Sequence, residues 1–124
     1  CGIPLTLRGT SRGVTLVTAH TQDDSDLNWQ GLAMGGTTLV IYMGVARLQQ
    51  IQQGLLAGGM SANTPVAMIE RASLPDQRQH QCDLASLCDA AAAFGLQSPA
   101  VLVIGDVVAA ALHLTPPAEI AALA

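Results

Sequence analysis

The chain has 124 residues, enough for one domain with a core that buries roughly two-thirds of the unfolded chain's surface. Half of the residues are apolar and only three are aromatic, so Ala, Val, Leu, Ile and Met must build that core, a palette suited to α/β layers. The net charge is −4, and the few cations are all arginines, which excludes a protein that tracks a nucleic-acid backbone.

In chain order, residues 2–12 carry Pro4 and Gly9 without periodicity and read as a loop or an extended lead-in. Val14, Leu16 and Thr18 then alternate in a β-branched run that predicts a strand over 14–19. Asp23, Asp24 and Asp26 belong to a solvated loop, with Asp26 a candidate N-cap for a short helix over 27–34 that Gly35-Gly36 ends. The least ambiguous stretch is 37–59. Thr37 to Met43 is a buried strand, Gly44 turns the chain, and Val45, Leu48, Ile51 and Leu55 recur at helical spacing over 45–57. This is half of a βαβ unit, and ligands of open α/β sheets bind beyond the carboxyl ends of strands, which draws attention to the Tyr42-Met43-Gly44 turn.

Pro65 opens a third strand ending at Glu70, and residues 78–84 alternate well enough for an edge strand. Leu84, Leu87, Cys88, Ala91 and Phe94 share one face of a helix over 85–94 closed by Gly95. Ser98-Pro99 starts the last apolar strand, 100–105. The apolar run from Pro99 to Leu114 is read as that strand and its continuation, because it is shorter than the roughly 20 residues a membrane span needs. The domain is expected to occupy 1–113, with 114–124 a loose tail carrying a marginal helical turn. Cys1, Cys82 and Cys88 match neither a disulfide framework, a redox motif nor a zinc knuckle; they read as reduced, cytoplasmic thiols. A chain opening on Cys1 rather than Met is expected to be a fragment or to have an incompletely ordered start, and no metal site is expected, since acids, histidines and cysteines never cluster at ligand spacing.

Five motifs stand in one order and spacing: GIPLT at the start, LVTAH, VIYMG, PVAMIERAS followed by QR, and SPAVLVIGDVV. Together they resemble the uroporphyrinogen-III C-methyltransferases, of the tetrapyrrole methylase type, whose C-terminal domain the chain is similar to over residues 1 to about 110. The same domain forms part of the methyltransferase half of sirohaem synthase. The resemblance implies a mixed five-stranded α/β sheet flanked by helices, a homodimer, and a cleft for S-adenosylmethionine shared with an N-terminal domain that carries a glycine-rich loop and the proton-transfer groups. Neither that loop nor a catalytic base is matched by these residues, so half an enzyme is implied, inactive without its partner domain. Departures from the family pattern are Leu7, Ala19 and Ala72; if position 72 requires positive φ, alanine there is strained.

By resemblance, Met43, Ala72 and Ala100 meet the cofactor's adenosyl group, and Arg8 meets a carboxylate of the tetrapyrrole substrate through a two-pronged hydrogen bond. Each also has an ordinary reading: a core methionine, two packing alanines, a solvated arginine. Arg12, Arg71 and Arg78 read as ordinary loop charges, and His20 as a capped structural histidine. The rival to a methyltransferase is a non-catalytic α/β module that binds a ligand or partner at the same strand ends.

Overall fold

The computed structural model describes residues 3–6, 8–11, 13–19 and 28–109. Within them, apolar and β-branched runs form strands β1 (Val14–Thr18), β2 (Thr38–Tyr42), β3 (Pro65–Glu70) and β5 (Ala100–Ile104), the polar run Arg78–Asp83 forms β4, and the periodic segments form helices α1 (Trp29–Met34), α2 (Leu48–Ala57) and α3 (Leu87–Phe94). All five strands join one sheet in the order β1-β2-β5-β3-β4. β1 runs parallel to β2, whereas β5 lies between β2 and β3 and is antiparallel to both, so β1, β2 and β3 point the same way. β4 returns antiparallel to β3 at the sheet edge.

Each strand falls within a residue of its expected ends. The two longer helices begin differently from expectation, as tight turns of 3-10 type over Val45–Arg47 and Leu84–Ser86 before the α-helix proper. At the second, the Asp83 carboxylate accepts the Ser86 N–H and so holds the tighter turn. The first helix starts at Trp29, capped by Asn28, whose side-chain oxygen accepts the Gly31 N–H at 3.0 Å; the expected cap, Asp26, lies outside the described residues. Gly95 ends α3 at φ 73°, a left-handed conformation that glycine adopts without strain. After β5 the chain does not continue as a strand: it turns at Gly105 and becomes helical from Val107, and the tail 114–124 lies outside the described residues.

The core has two sides because side chains alternate across each strand. On one side Leu39, Ile41, Met68, Leu102 and Ile104 pack against Ile51 and Leu55 of α2 and against Leu84, Leu87 and Ala91. On the other, Val40, Ala67, Ile69 and Val103 meet Val108 and Ile3. Each fully buried leucine or isoleucine stabilises the fold by about 1.5–3 kcal/mol.

The α1–α2 contact depends on missing side chains. Gly54 and Gly58, one turn apart, leave a groove on α2 in which Trp29 lies; a Cβ at Gly58 would stand 2.8 Å from the Trp29 carbonyl oxygen and 2.9 Å from the Gln30 Cα. Those neighbours are backbone and cannot rotate away. Gly58→Ala is therefore expected to destabilise the domain by about 1–3 kcal/mol, the usual effect of overpacking, with an exposed, red-shifted Trp29 emission; unchanged thermal unfolding would contradict this close approach.

Candidate functional site

The strand directions bring the carboxyl ends of β1, β2 and β3 and the amino ends of β4 and β5 to one edge of the sheet. In register, Thr18 stands beside Tyr42, Tyr42 beside Val101, and Glu70 beside both Ala100 and Arg78. At that edge lies a cavity of about 220 Å³ lined by Tyr42, Ile69, Ala72, Leu74, Pro99 and Ala100, with Arg71 and Val101. Two of the expected binding residues, Ala72 and Ala100, thus line one pocket. Met43 is not among the residues lining it; its neighbour Tyr42 is, and the Met43 side chain is largely exposed at the same edge.

Backbone strain gathers here too. Among the described residues, the non-glycine residues with positive φ are Met43 (58°), Arg71 (53°) and Ser73 (70°), all in the loops that follow β2 and β3. Left-handed conformations cost side-chain-bearing residues free energy and persist where their surroundings over-determine them. The expected strain at Ala72 is therefore displaced: its two neighbours carry it, and alanine at 72 is not in a glycine-like conformation. The loop 71–77 is tied internally by Leu74 N–H to the Arg71 carbonyl at 3.0 Å, Ser73 N–H to Gln77 Oε1 at 2.8 Å and Arg71 Nη1 to Asp76 Oδ2 at 2.9 Å. The Arg71 N–H also reaches across to the Pro99 carbonyl at 2.9 Å.

Behind the pocket sits a charge pair that the sequence reading did not anticipate. Arg78, expected as an ordinary loop charge, opens β4 and donates from Nε and Nη2 to the two oxygens of Glu70, each at 3.0 Å. The Glu70 side chain is only 2% exposed, and its Oε2 also accepts the Gln97 N–H at 2.9 Å. Arg78 further donates to the Phe94 and Gly95 carbonyls at 3.3 Å, where the end of α3 leaves acceptors free, and its guanidinium lies 4.3 Å over the Phe94 ring. The hydrogen bond from Arg78, then that from Gln97, holds the Glu70 carboxyl below its ordinary pKa against the opposing effect of burial. The available signal was opposite charges at the facing ends of two strands joined by a short loop, a cross-strand pair once the hairpin is drawn.

Arg8 is not brought to this edge. It lines a separate cavity of about 490 Å³ with Thr10, Ser11, Gly35, Gly36 and Thr37, at the start of β2, roughly one five-residue strand or about 17 Å from Met43. A larger groove of about 610 Å³ lies between α2 and α3, against Leu48, Gln52, Leu56, Cys88, Ala91 and Leu96, and contains none of the expected residues. Cys82, half-buried in β4, has its thiol pushed up to about 11, first by burial and then by the charge of Asp83, so it is not a ready nucleophile. His20 and Arg12 lie outside the described residues. Among the described residues no group of acids, histidines and cysteines could hold a metal ion, and no helix is long and apolar enough to cross a membrane.

The domain is an open, mixed five-stranded α/β sheet flanked by helices, with a pocket at strand carboxyl ends, where ligands of such sheets usually bind. The family model of the tetrapyrrole (corrin/porphyrin) methylases matches residues 1–88, and the chain belongs to that family. It is 67% identical over 110 residues to a uroporphyrinogen-III C-methyltransferase of Pseudomonas fluorescens, a match covering 89% of this chain and 44% of that protein. A siroheme synthase of Pseudoalteromonas translucida is 44% identical over 113 residues, covering 90% of this chain and 24% of that protein. The fold superposes on the crystal structure of uroporphyrin-III C-methyltransferase from Thermus thermophilus complexed with S-adenosylhomocysteine, with a TM-score of 0.77 and 30% identity, over 88% of this chain and 48% of that one. The chain spans less than half the length of these relatives.

The lowered Glu70 pKa has a definite sign in stability. Its contribution is full above the unfolded value, about 4.5, and is lost as pH falls through the folded value. Urea unfolding between about pH 5 and pH 2 should show stability declining with acid, and Glu70→Gln should decline less steeply over that window. Parallel pH profiles for the two proteins would contradict the pairing.

Proposed function

We propose that this chain is the C-terminal domain of a uroporphyrinogen-III C-methyltransferase, the enzyme that moves methyl groups from S-adenosylmethionine to C-2 and C-7 of uroporphyrinogen III to give precorrin-2. The observation that carries the reading is the convergence of Tyr42-Met43, Ala72 and Ala100 at one strand-end edge, in a chain 67% identical to such an enzyme and similar in fold to one complexed with S-adenosylhomocysteine. Those relatives are named as enzymes, which favours this reading over a non-catalytic module.

The pocket suits part of such a ligand. Its 220 Å³ is below the roughly 300–1,000 Å³ of a complete small-molecule site, so these walls hold one portion of the ligand and another surface covers the rest. Ala72 and Ala100 keep the walls small, which lets backbone N–H and C=O groups approach a flat ring system, while Ile69, Leu74 and Pro99 exclude water from its faces. The methyl donor supplies an electrophilic methyl group on a sulfonium; a ring carbon attacks that methyl, so that a C–C bond forms as the C–S bond breaks and the neutral thioether, S-adenosylhomocysteine, leaves. This chain's share is binding and alignment, worth several kcal/mol of barrier when the geometry is held. The group that takes the proton lost from the ring belongs to the N-terminal domain in this reading. Arg8 is assigned to a carboxylate at the substrate's periphery, away from the adenosyl pocket. Tyr42, Met43 and Leu74 leave apolar surface exposed beside the pocket, as expected of a face that a second domain covers. The complete protein is taken to be a cytoplasmic homodimer acting in sirohaem-type porphyrin biosynthesis.

Calorimetry and a methyl-transfer assay test this on residues 1–124 and on a protein extended upstream to the length of the relatives. If affinity follows contacts, a micromolar site worth about 8 kcal/mol falls towards millimolar at about 4 when half of it is absent. The short chain is expected to bind weakly and turn nothing over, and the extended protein to do both. Micromolar binding with turnover by the short chain would overturn the half-enzyme reading.

A further inference from the structure

We propose that Glu70 and Arg78 are positioning residues for the adenosyl pocket: their forked ion pair sets the placement of the 71–77 loop beside the Pro99-Ala100 segment, the two adjoining walls that line it. The assignment of the ligand rests on the methyltransferase reading above; the mechanical part rests on the geometry alone.

Glu70 is the last residue of β3, so its Cα fixes where the loop carrying Ala72 begins. Its carboxylate receives the Gln97 N–H, which fixes where the chain descends towards Pro99 and Ala100. Arg78 closes the other end of the same loop, since it is the first residue of β4, and it grips the carbonyls at the end of α3 just before Gln97. One carboxylate and one guanidinium therefore tie together the start of the loop, its end and the adjoining wall. The Arg71 N–H to Pro99 carbonyl bond is the direct strut between the walls, and Arg71 and Ser73 hold left-handed φ on either side of Ala72. Strained residues stay in place only where contacts over-determine them, and these do.

Glu70 is buried and Arg78 is half-exposed, so stability asks only that the Glu70 carboxylate find donors, and apolar residues could fill its volume instead. What apolar residues cannot supply is a planar fork aimed at two oxygens while a third donor reaches the same carboxylate. Lysine keeps the charge of Arg78 but not the fork.

The test uses the protein extended upstream, with S-adenosylhomocysteine as the probe, and compares wild type with Arg78→Lys and Glu70→Gln. The expected result is a loss of affinity of about tenfold in both variants, the scale of effect when a supporting contact lets a site loosen. The KM for uroporphyrinogen III at saturating methyl donor should stay within about twofold, because Arg8 and the substrate side are untouched. Amide hydrogen exchange should quicken at Arg71 and Gln97 while Ile41 and Ile51 in the core keep their protection, the local loosening that a general loss of stability does not produce. Wild-type binding that the variants match, or exchange that quickens equally in the core, would overturn the positioning role. Absence of binding by wild type would instead overturn the adenosyl assignment, and exchange at Arg71 and Gln97 would then decide the mechanical claim by itself.

Discussion

β5 occupies the position between β2 and β3, and the rest of the domain follows from how it is held there. Leu102 stands in register with Ile41 on one side and Met68 on the other, and Ile104 with Leu39 and Val66, all of them buried. Because β5 runs against both neighbours, its amino end meets their carboxyl ends. That single reversal places Pro99 and Ala100 beside the loops that leave β2 and β3, and no sheet of purely parallel strands would close the pocket in the same way. Helices α2 and α3 cover one face of the sheet.

A buried carboxylate at such an edge is stable only when its acceptors are filled, and Glu70 has three donors on its two oxygens. The same contacts reach the hairpin loop, the end of α3 and the approach to β5. Rigidity at the pocket and satisfaction of a buried charge are therefore one arrangement. The left-handed residues Met43, Arg71 and Ser73 at this edge fit that account, since strain is sustainable where hydrogen bonds leave a loop no alternative.

β1, β2, β3 and β5 were legible because each is a short β-branched or apolar run bounded by Gly, Pro or a charge, and α2 because Leu48, Ile51 and Leu55 repeat at helical spacing. The edge position of β4 was legible from its alternation of polar residues. Sheet order was not, since no local pattern in 100–104 says that the strand inserts between two others rather than adding at an edge. Ala72 and Ala100 were reached through family motifs in register; an alanine has no chemistry by which its own sequence context marks it. Glu70 and Arg78 were passed over because each was weighed alone, whereas their meaning lies in the hairpin register that pairs them. The site of strain at 71 and 73 rather than 72 depends on turn geometry, which side-chain identity does not encode when none of the residues is glycine. Arg8 was judged on its charge, and its placement at the far end of β2 follows only from the folded chain.

The central claim is that the strand-end edge, rather than the larger groove between α2 and α3, receives the adenosyl group. Backbone amide shifts of the upstream-extended protein, recorded as S-adenosylhomocysteine is added, test it residue by residue. The account predicts that the largest changes fall on residues 42–44, 71–74 and 100–101, with the amides of Gln52, Leu56, Cys88 and Ala91 unmoved. Largest changes along the α2–α3 groove, or around Arg8 and Gly35-Gly36, with the strand-end amides unmoved, would contradict it.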